Sequence, residues 1–172
     1  MFWVKMFILI LIFLSSLQAG KIISKKYFGR VAELKDMKNA LNMFLTKIRF
    51  TYESVPESFR EIGNSIDGNV GKMFRISSEL MKDKSAGDAW EETIDKSQTN
   101  LKEEDKDILK NFGRLLGKTD LEGQISEIKL VQEFLNTQIE IAETERQKNE
   151  KLYRTLGGVI GLAIVIILVW NF

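Results

Sequence analysis

The sequence predicts an all-α protein, a cytosolic six-helix bundle whose first and last helices continue into two transmembrane helices. Three observations carry this reading. Proline occurs once, at Pro56, and most of the twelve glycines fall at segment ends, so long stretches are free of helix breakers. Small polar residues followed three positions later by an acid precede apolar patterns of period near 3.6. Both ends of the chain are apolar stretches with basic residues on their inner flanks.

The N-terminal segment, residues 2–20, opens "MFWVKMFILILIFLSSLQAG", with an unbroken apolar run from Met6 to Leu14. As an uncleaved membrane helix it places Trp3 at the interface and lets Lys5 snorkel, with Lys21 marking the inner boundary. A secretory signal peptide cut near Ala19 and Gly20 is the competing reading. The flanking charges favour the helix. Lys21, Lys25, Lys26 and Arg30 follow this segment, Arg146, Lys148, Lys151 and Arg154 precede the last one, and only Lys5 and the amino terminus lie beyond. By the positive-inside rule residues 21–154 are cytosolic and both tips are outside.

Four capping boxes punctuate the region between: Ser54 with Glu57, Ser85 with Asp88, Asn100 with Glu103, and Thr119 with Glu122. The first cytosolic helix carries Val31, Leu34, Met37, Leu41, Phe44, Leu45, Ile48 and Tyr52 on one stripe and stops near Tyr52. Pro56 suits the opening turn of the second, which turns Phe59, Ile62 and Ile66 inward before "DGNVG" breaks it. The third buries Val70, Met73, Phe74 and Leu80, and the fourth, after Ser85, presents Ala89, Trp90 and Ile94. The fifth runs from about Leu101 to Leu116, with Ile108, Leu109, Phe112, Leu115 and Leu116 inside and Gly117 as its stop.

The sixth starts at Thr119, and its stripe of Leu121, Ile125, Ile128, Leu135, Ile139 and Ala142 gives way to "ETERQKNEK" and the final apolar segment, residues 155–172. The first and last helices are expected to lie antiparallel with the four shorter ones packed on them. Together they make one domain of about 130 residues, enough for its own core.

From Thr155 to Phe172 no residue is charged. A helix of roughly 18 residues, rising about 1.5 Å each, approaches the ~30 Å hydrocarbon core. A buried soluble helix, apolar all round, is the alternative. Lys151, Tyr153 and Arg154 suit the membrane interface, and Gly157 with Gly161 forms a Gly-x-x-x-Gly step that permits close helix packing. Glycine is also simply common in such helices.

Composition excludes more chemistry than it suggests. Net charge is +1, from 25 basic and 24 acidic residues, which leaves no nucleic-acid footprint. Cysteine and histidine are both absent, removing disulfides, thiolate nucleophiles, most zinc sites and the commonest general base. The acids of "KEEDKD" and Glu91 and Glu92 lack the histidine of a di-metal bundle site, and those from Glu103 onward suit the first turn of a helix dipole. "GNVGKMF" has the wrong spacing for a phosphate loop, and no Gly-x-Ser-x-Gly occurs. Trp90 and Phe112 read as core. No catalytic residue, cofactor or metal is expected, so a non-catalytic protein is predicted. A two-helix membrane sensor with an extracytoplasmic helical domain is the alternative.

The stretches "DILKNFGRLLGKTDLEGQISEIKL" and "NEKLYRTLGGVIG", with "DAW" at Asp88 to Trp90 and "VPESF" at Val55 to Phe59, add a name to this pattern. The chain resembles the stage III sporulation protein AB family of endospore-forming bacteria over its whole length. It departs at Lys47, where the family has an acid, and at Ser54 and Ser58, in a turn that usually reads Pro-Leu-Pro-Glu-Ala. The resemblance implies a platform component of the secretion-like channel between mother cell and forespore, needed for late forespore gene expression. It implies similarity in part to the type II secretion inner-membrane platform protein F. It places the protein in the outer forespore membrane with its domain in the mother-cell cytoplasm. The partners it implies are the cytosolic ATPase, stage III sporulation protein AA, and other channel subunits, with a homo-oligomer also compatible. The turns at the membrane-distal end, Ser54 to Pro56 and Gly117 to Asp120, are where such a partner is expected to dock.

Overall fold

The computed structural model describes residues 26–118 and 120–170; of the side chains beyond Leu152 it describes Thr155, Leu156, Val159, Ala163 and Ile166. Among the described residues all regular structure is helical, as expected. Helix α1 covers residues 26–46 and runs into a π-helical turn, Lys47–Thr51. It is followed by α2 (Val55–Ser65), α3 (Gly68–Leu80), α4 (Ala86–Lys96), α5 (Glu103–Leu115) and α6 (Leu121–Trp170). The chain divides into two compact units, Arg30–Ile141 and a second made of the remaining residues at both ends.

In the larger unit, α1 buries Val31, Leu34, Met37, Leu41, Phe44 and Ile48, the spacing of one helical face. The predicted stripe fails at its end. Leu45 is only half-buried and Tyr52 is 78% exposed. The wider π turn shifts the helical phase after Thr46, and the helix closes with Tyr52 in the left-handed region at φ 55°. Leu80 and Ile108 are half-buried and Leu115 exposed, so α3 and α5 bury narrower faces than expected.

Among the described residues one of the predicted caps, Asn100, falls elsewhere. Ser85 caps α4 as predicted, accepting from the Asp88 N–H at 3.2 Å. Ser54 holds the cap position of α2 without a side-chain bond, while Pro56 occupies the first turn, where a missing N–H costs nothing. Helix α5 begins two residues later than Asn100 implied, with the Lys102 N–H donating to Asp105 at 2.9 Å. At the start of α6 Asp120 accepts from the Gly123 N–H at 2.9 Å, while the predicted cap Thr119 lies outside the described residues. Short polar side chains compete for each start, and the winner depends on which neighbour the backbone faces.

The core centres on Trp90, which is fully buried. Its ring lies 5.4 Å from Phe59, 5.1 Å from Phe74 and 6.1 Å from Phe112, with Phe44 a further 5.2 Å from Phe59. One aromatic from each of α1 to α5 thus joins the cluster, mostly edge to face, the arrangement the ring quadrupoles favour. The Trp90 indole N–H donates to the Leu109 carbonyl at 2.7 Å, so the buried polar edge is satisfied.

Helices α4 and α5 approach closely because Gly113 faces this ring. A Cβ there would stand 2.5 Å from Trp90 Cδ1. Gly113→Ala is therefore expected to cost about 1–3 kcal/mol through overpacking, read as a shift in the urea midpoint with unchanged slope.

Within this unit the start of α6 runs antiparallel to α1. Gln132 donates to Asn42 at 2.7 Å while Arg30 donates to Gln138 at 3.0 Å, so one helix climbs as the other descends. Ile125, Ile128, Val131 and Leu135 are its buried face.

In the smaller unit the Arg146 guanidinium lies 5.0 Å over the Phe28 ring, and the Asn149 side chain donates to the Glu145 carbonyl at 2.7 Å. Helix α6 continues unbroken through it, with Leu152, Leu156, Val159 and Ile166 exposed. Among the described residues no helix is long and apolar enough to cross a membrane. The N-terminal segment, residues 2–20, lies outside the described residues, and so do Trp3 and Lys21.

Candidate docking surface

Two polar side chains on successive turns of α1 organise the larger unit. Arg30 donates to both carboxylate oxygens of Asp105, at 2.8 and 2.9 Å, and to Gln138, with the ion pair's side chains 4% and 0% exposed. Glu33, also buried, accepts from the Asn69 side chain and from both the backbone and the side chain of Asn100, all at 2.7 Å. This clamp ties α1 to the starts of α3 and α5 and to α6. Sequence reasoning missed it. Arg30 reads as one of the membrane-flanking charges and Asp105 as a first-turn acid favoured by the helix dipole; instead each neutralises the other in the interior. Asn100, read as a cap, spends its side chain on Glu33.

The expected docking turns lie at the Phe44 end of this unit. Phe44 meets Phe59 of α2 and, with Leu116 and Gln124, lines the small hollow beneath the turn between α5 and α6. Ser54 and Pro56 are exposed, and the Pro56 carbonyl accepts from the Ser78 hydroxyl at 2.8 Å. Gly117 takes φ +74°, the left-handed C-terminal stop that glycine adopts without strain, and Asp120 is exposed as the α6 cap. Of the predicted membrane anchors Lys151 is exposed on α6. Tyr153, Arg154, Gly157 and Gly161 fall on the same helix with side-chain surroundings outside the described residues.

The concave surfaces are polar. A groove of about 510 Å³ between α1 and α6 is lined by Lys35, Lys38, Asn42, Glu133 and Glu140 among others. Beside it burial, and then Glu33, push the Asp36 carboxyl up. A second hollow of about 330 Å³ is lined by Lys72, Ile76, Leu80, Glu92 and Lys96.

Glu92 pairs with Lys84 and, at 2.7 Å, with Lys96, and these hydrogen bonds, Lys84's first, hold it down at about 2 from an ordinary 4.5. A carboxylate depressed in the folded state adds stability above the unfolded value and loses it as pH falls from there toward 2. Glu92→Gln is expected to lower the melting temperature near neutrality, where the pairs are fully formed, and to match the parent near pH 2, so that its acid limb between pH 4.5 and about 2 is flatter. No group of acidic residues suited to a metal ion occurs among the described residues.

The model of the family described as stage III sporulation protein AB matches residues 5–169. The chain belongs to the stage III sporulation protein AB family. Family membership gives it a role in sporulation. Stage III sporulation protein AB of Bacillus subtilis (strain 168) is 29% identical over 154 residues, covering 87% of this chain and 90% of the relative. A solved structure of stage III sporulation protein AB shares the fold, with a TM-score of 0.63 at 24% identity over 70% of this chain and 98% of the other.

Proposed function

We propose that this member of the stage III sporulation protein AB family is a non-catalytic membrane platform in the secretion-like channel between mother cell and forespore. The observation that carries the reading is the extent of the family match. It runs from residue 5 to 169 and takes in the apolar stretches at both ends together with the helical domain between them. On this reading residues 2–20 and 155–172 span the outer forespore membrane and the domain faces the mother-cell cytoplasm. The outward-facing Leu156, Val159 and Ile166 are what a lipid-facing helix presents. Lys151, Tyr153 and Arg154 hold the interface and Gly157 with Gly161 lets the spanning helices approach. The buried clamp at Arg30 and Glu33 gives the domain a fixed shape on which subunits assemble.

The cytosolic ATPase, stage III sporulation protein AA, docks at the turns containing Ser54, Pro56, Gly117 and Asp120. Recruitment of that ATPase to membranes from sporulating cells tests this. Charge reversal of both Lys118 and Asp120 is expected to release it to the soluble fraction; undiminished recruitment refutes the docking site. A deletion strain that sporulates normally refutes the platform role.

A further inference from the structure

Tyr52 and Phe50 are the two most exposed large apolar side chains among the described residues, at 78% and 69%, and they stand two positions apart. They sit where the backbone is least regular. The π-helical turn Lys47–Thr51 is a form that recurs at functional sites, and Tyr52 closes it at φ 55°, a conformation that favours glycine. A side chain that strains the backbone and buries almost nothing does not serve folding. The segment is nonetheless held firmly. Ile48 is buried beneath it, the Thr51 hydroxyl donates to the Lys47 carbonyl at 2.6 Å, and Lys47 bridges Glu53 at 3.1 Å and also Glu61 of α2. The ion pairs lower the Glu53 pKa and raise that of Lys47, first through the bond to Glu61. Arg49 lies 5.5 Å over the Phe50 ring, adding an exposed cation to the two aromatics.

We propose that Arg49, Phe50 and Tyr52 form a preorganised binding knob for a different protein, one that presents an apolar pocket rimmed by carboxylates. Aromatic and arginine side chains dominate the energetics of protein interfaces, and a knob ordered in advance loses little entropy on docking. The cation beside the rings sets the partner's chemistry: Glu53 and Glu61 are both engaged by Lys47, while Arg49, over the Phe50 ring, makes no ion pair among the described residues. A second copy is a poor occupant. The groove at Lys35 and Lys38 is polar, and in the hollow containing Ile76 and Leu80 the two lysines, Lys72 and Lys96, outnumber Glu92, which is already paired with Lys84 and Lys96. The inference deepens the docking role proposed above by naming the residues that bind, and it does not depend on which channel protein is the partner.

The test uses the full-length chain in sporulating cells and, purified in detergent, in thermal unfolding. Tyr52→Gly relieves the strained backbone and is expected to raise the melting temperature by about 2–4 °C. Combined with Phe50→Ser, it is expected to cut heat-resistant spore counts by at least about tenfold, the loss of an interface hot spot. A photocrosslinker at position 50 is expected to capture one heterologous protein, to lose it with Arg49→Glu, and to regain it when a carboxylate on that protein is changed to lysine. A fall in melting temperature with Tyr52→Gly, unchanged spore counts in the double variant, or crosslinks only to lipid or to a second copy would overturn the proposal. Sporulation lost on deleting the whole chain but intact in the double variant rejects the knob alone; sporulation intact on deletion rejects the platform reading.

Discussion

Asp105→Ala is expected to lower the unfolding free energy by about 3–5 kcal/mol, a large share of the roughly 5–15 kcal/mol a domain holds. The cost comes from Arg30, whose side chain is 4% exposed and is left charged in the interior without its carboxylate. Part comes from the start of α5, since the Lys102 N–H loses its acceptor. Asp105→Asn separates the two, because the amide oxygen still caps the helix while the guanidinium stays unpaired. The double variant Arg30→Met with Asp105→Leu is expected to recover most of the loss, as filling a buried ion-pair site with apolar groups is neutral or favourable by about 1–4 kcal/mol. Urea unfolding of the four proteins checks this. A loss below about 1 kcal/mol in Asp105→Ala means that water reaches the pair.

Trp90→Ala is the second large effect, about 3–5 kcal/mol, because it removes the ring on which Phe59, Phe74 and Phe112 converge. Trp90→Phe keeps an aromatic contact but loses the indole bond to Leu109, so its cost is expected to be about 1–2 kcal/mol. Guanidinium midpoints that rank Ala well below Phe, and Phe below the parent, are the expected series. Near-equal midpoints for Ala and Phe assign the stabilisation to the hydrogen bond instead of the ring.

What the sequence discloses follows from how local each feature is. The stripe from Val31 to Ile48 repeats every three or four residues, so periodicity alone places it inside, and the same holds for Phe59, Ile62 and Trp90. The cap at Ser85 is a contact across three residues and is visible for the same reason. Arg30 and Asp105 stand 75 positions apart, and nothing in the pattern around either announces the other. Arg30 therefore reads as a membrane-flanking charge and Asp105 as an acid favoured by the helix dipole. Tyr52 misled in another way. Its spacing from Ile48 fits an α-helix, and only the π turn between them carries its side chain outward.

Pairing Arg30 with Asp105 also sharpens the topology argument. With its charge neutralised inside the domain, the basic flank of the first apolar segment rests on Lys21, Lys25 and Lys26. The flank of the second keeps Lys148 and Lys151, both exposed.

The central claim, a helical domain held on the cytoplasmic side by two membrane segments, is tested most directly by single cysteines at Lys82 and Lys118. The chain has no cysteine of its own and both positions are exposed, so each label reports one site. The account predicts that a membrane-impermeant thiol reagent leaves both unlabelled in intact cells and labels both after permeabilisation. Labelling in intact cells contradicts it and favours a sensor domain outside the membrane.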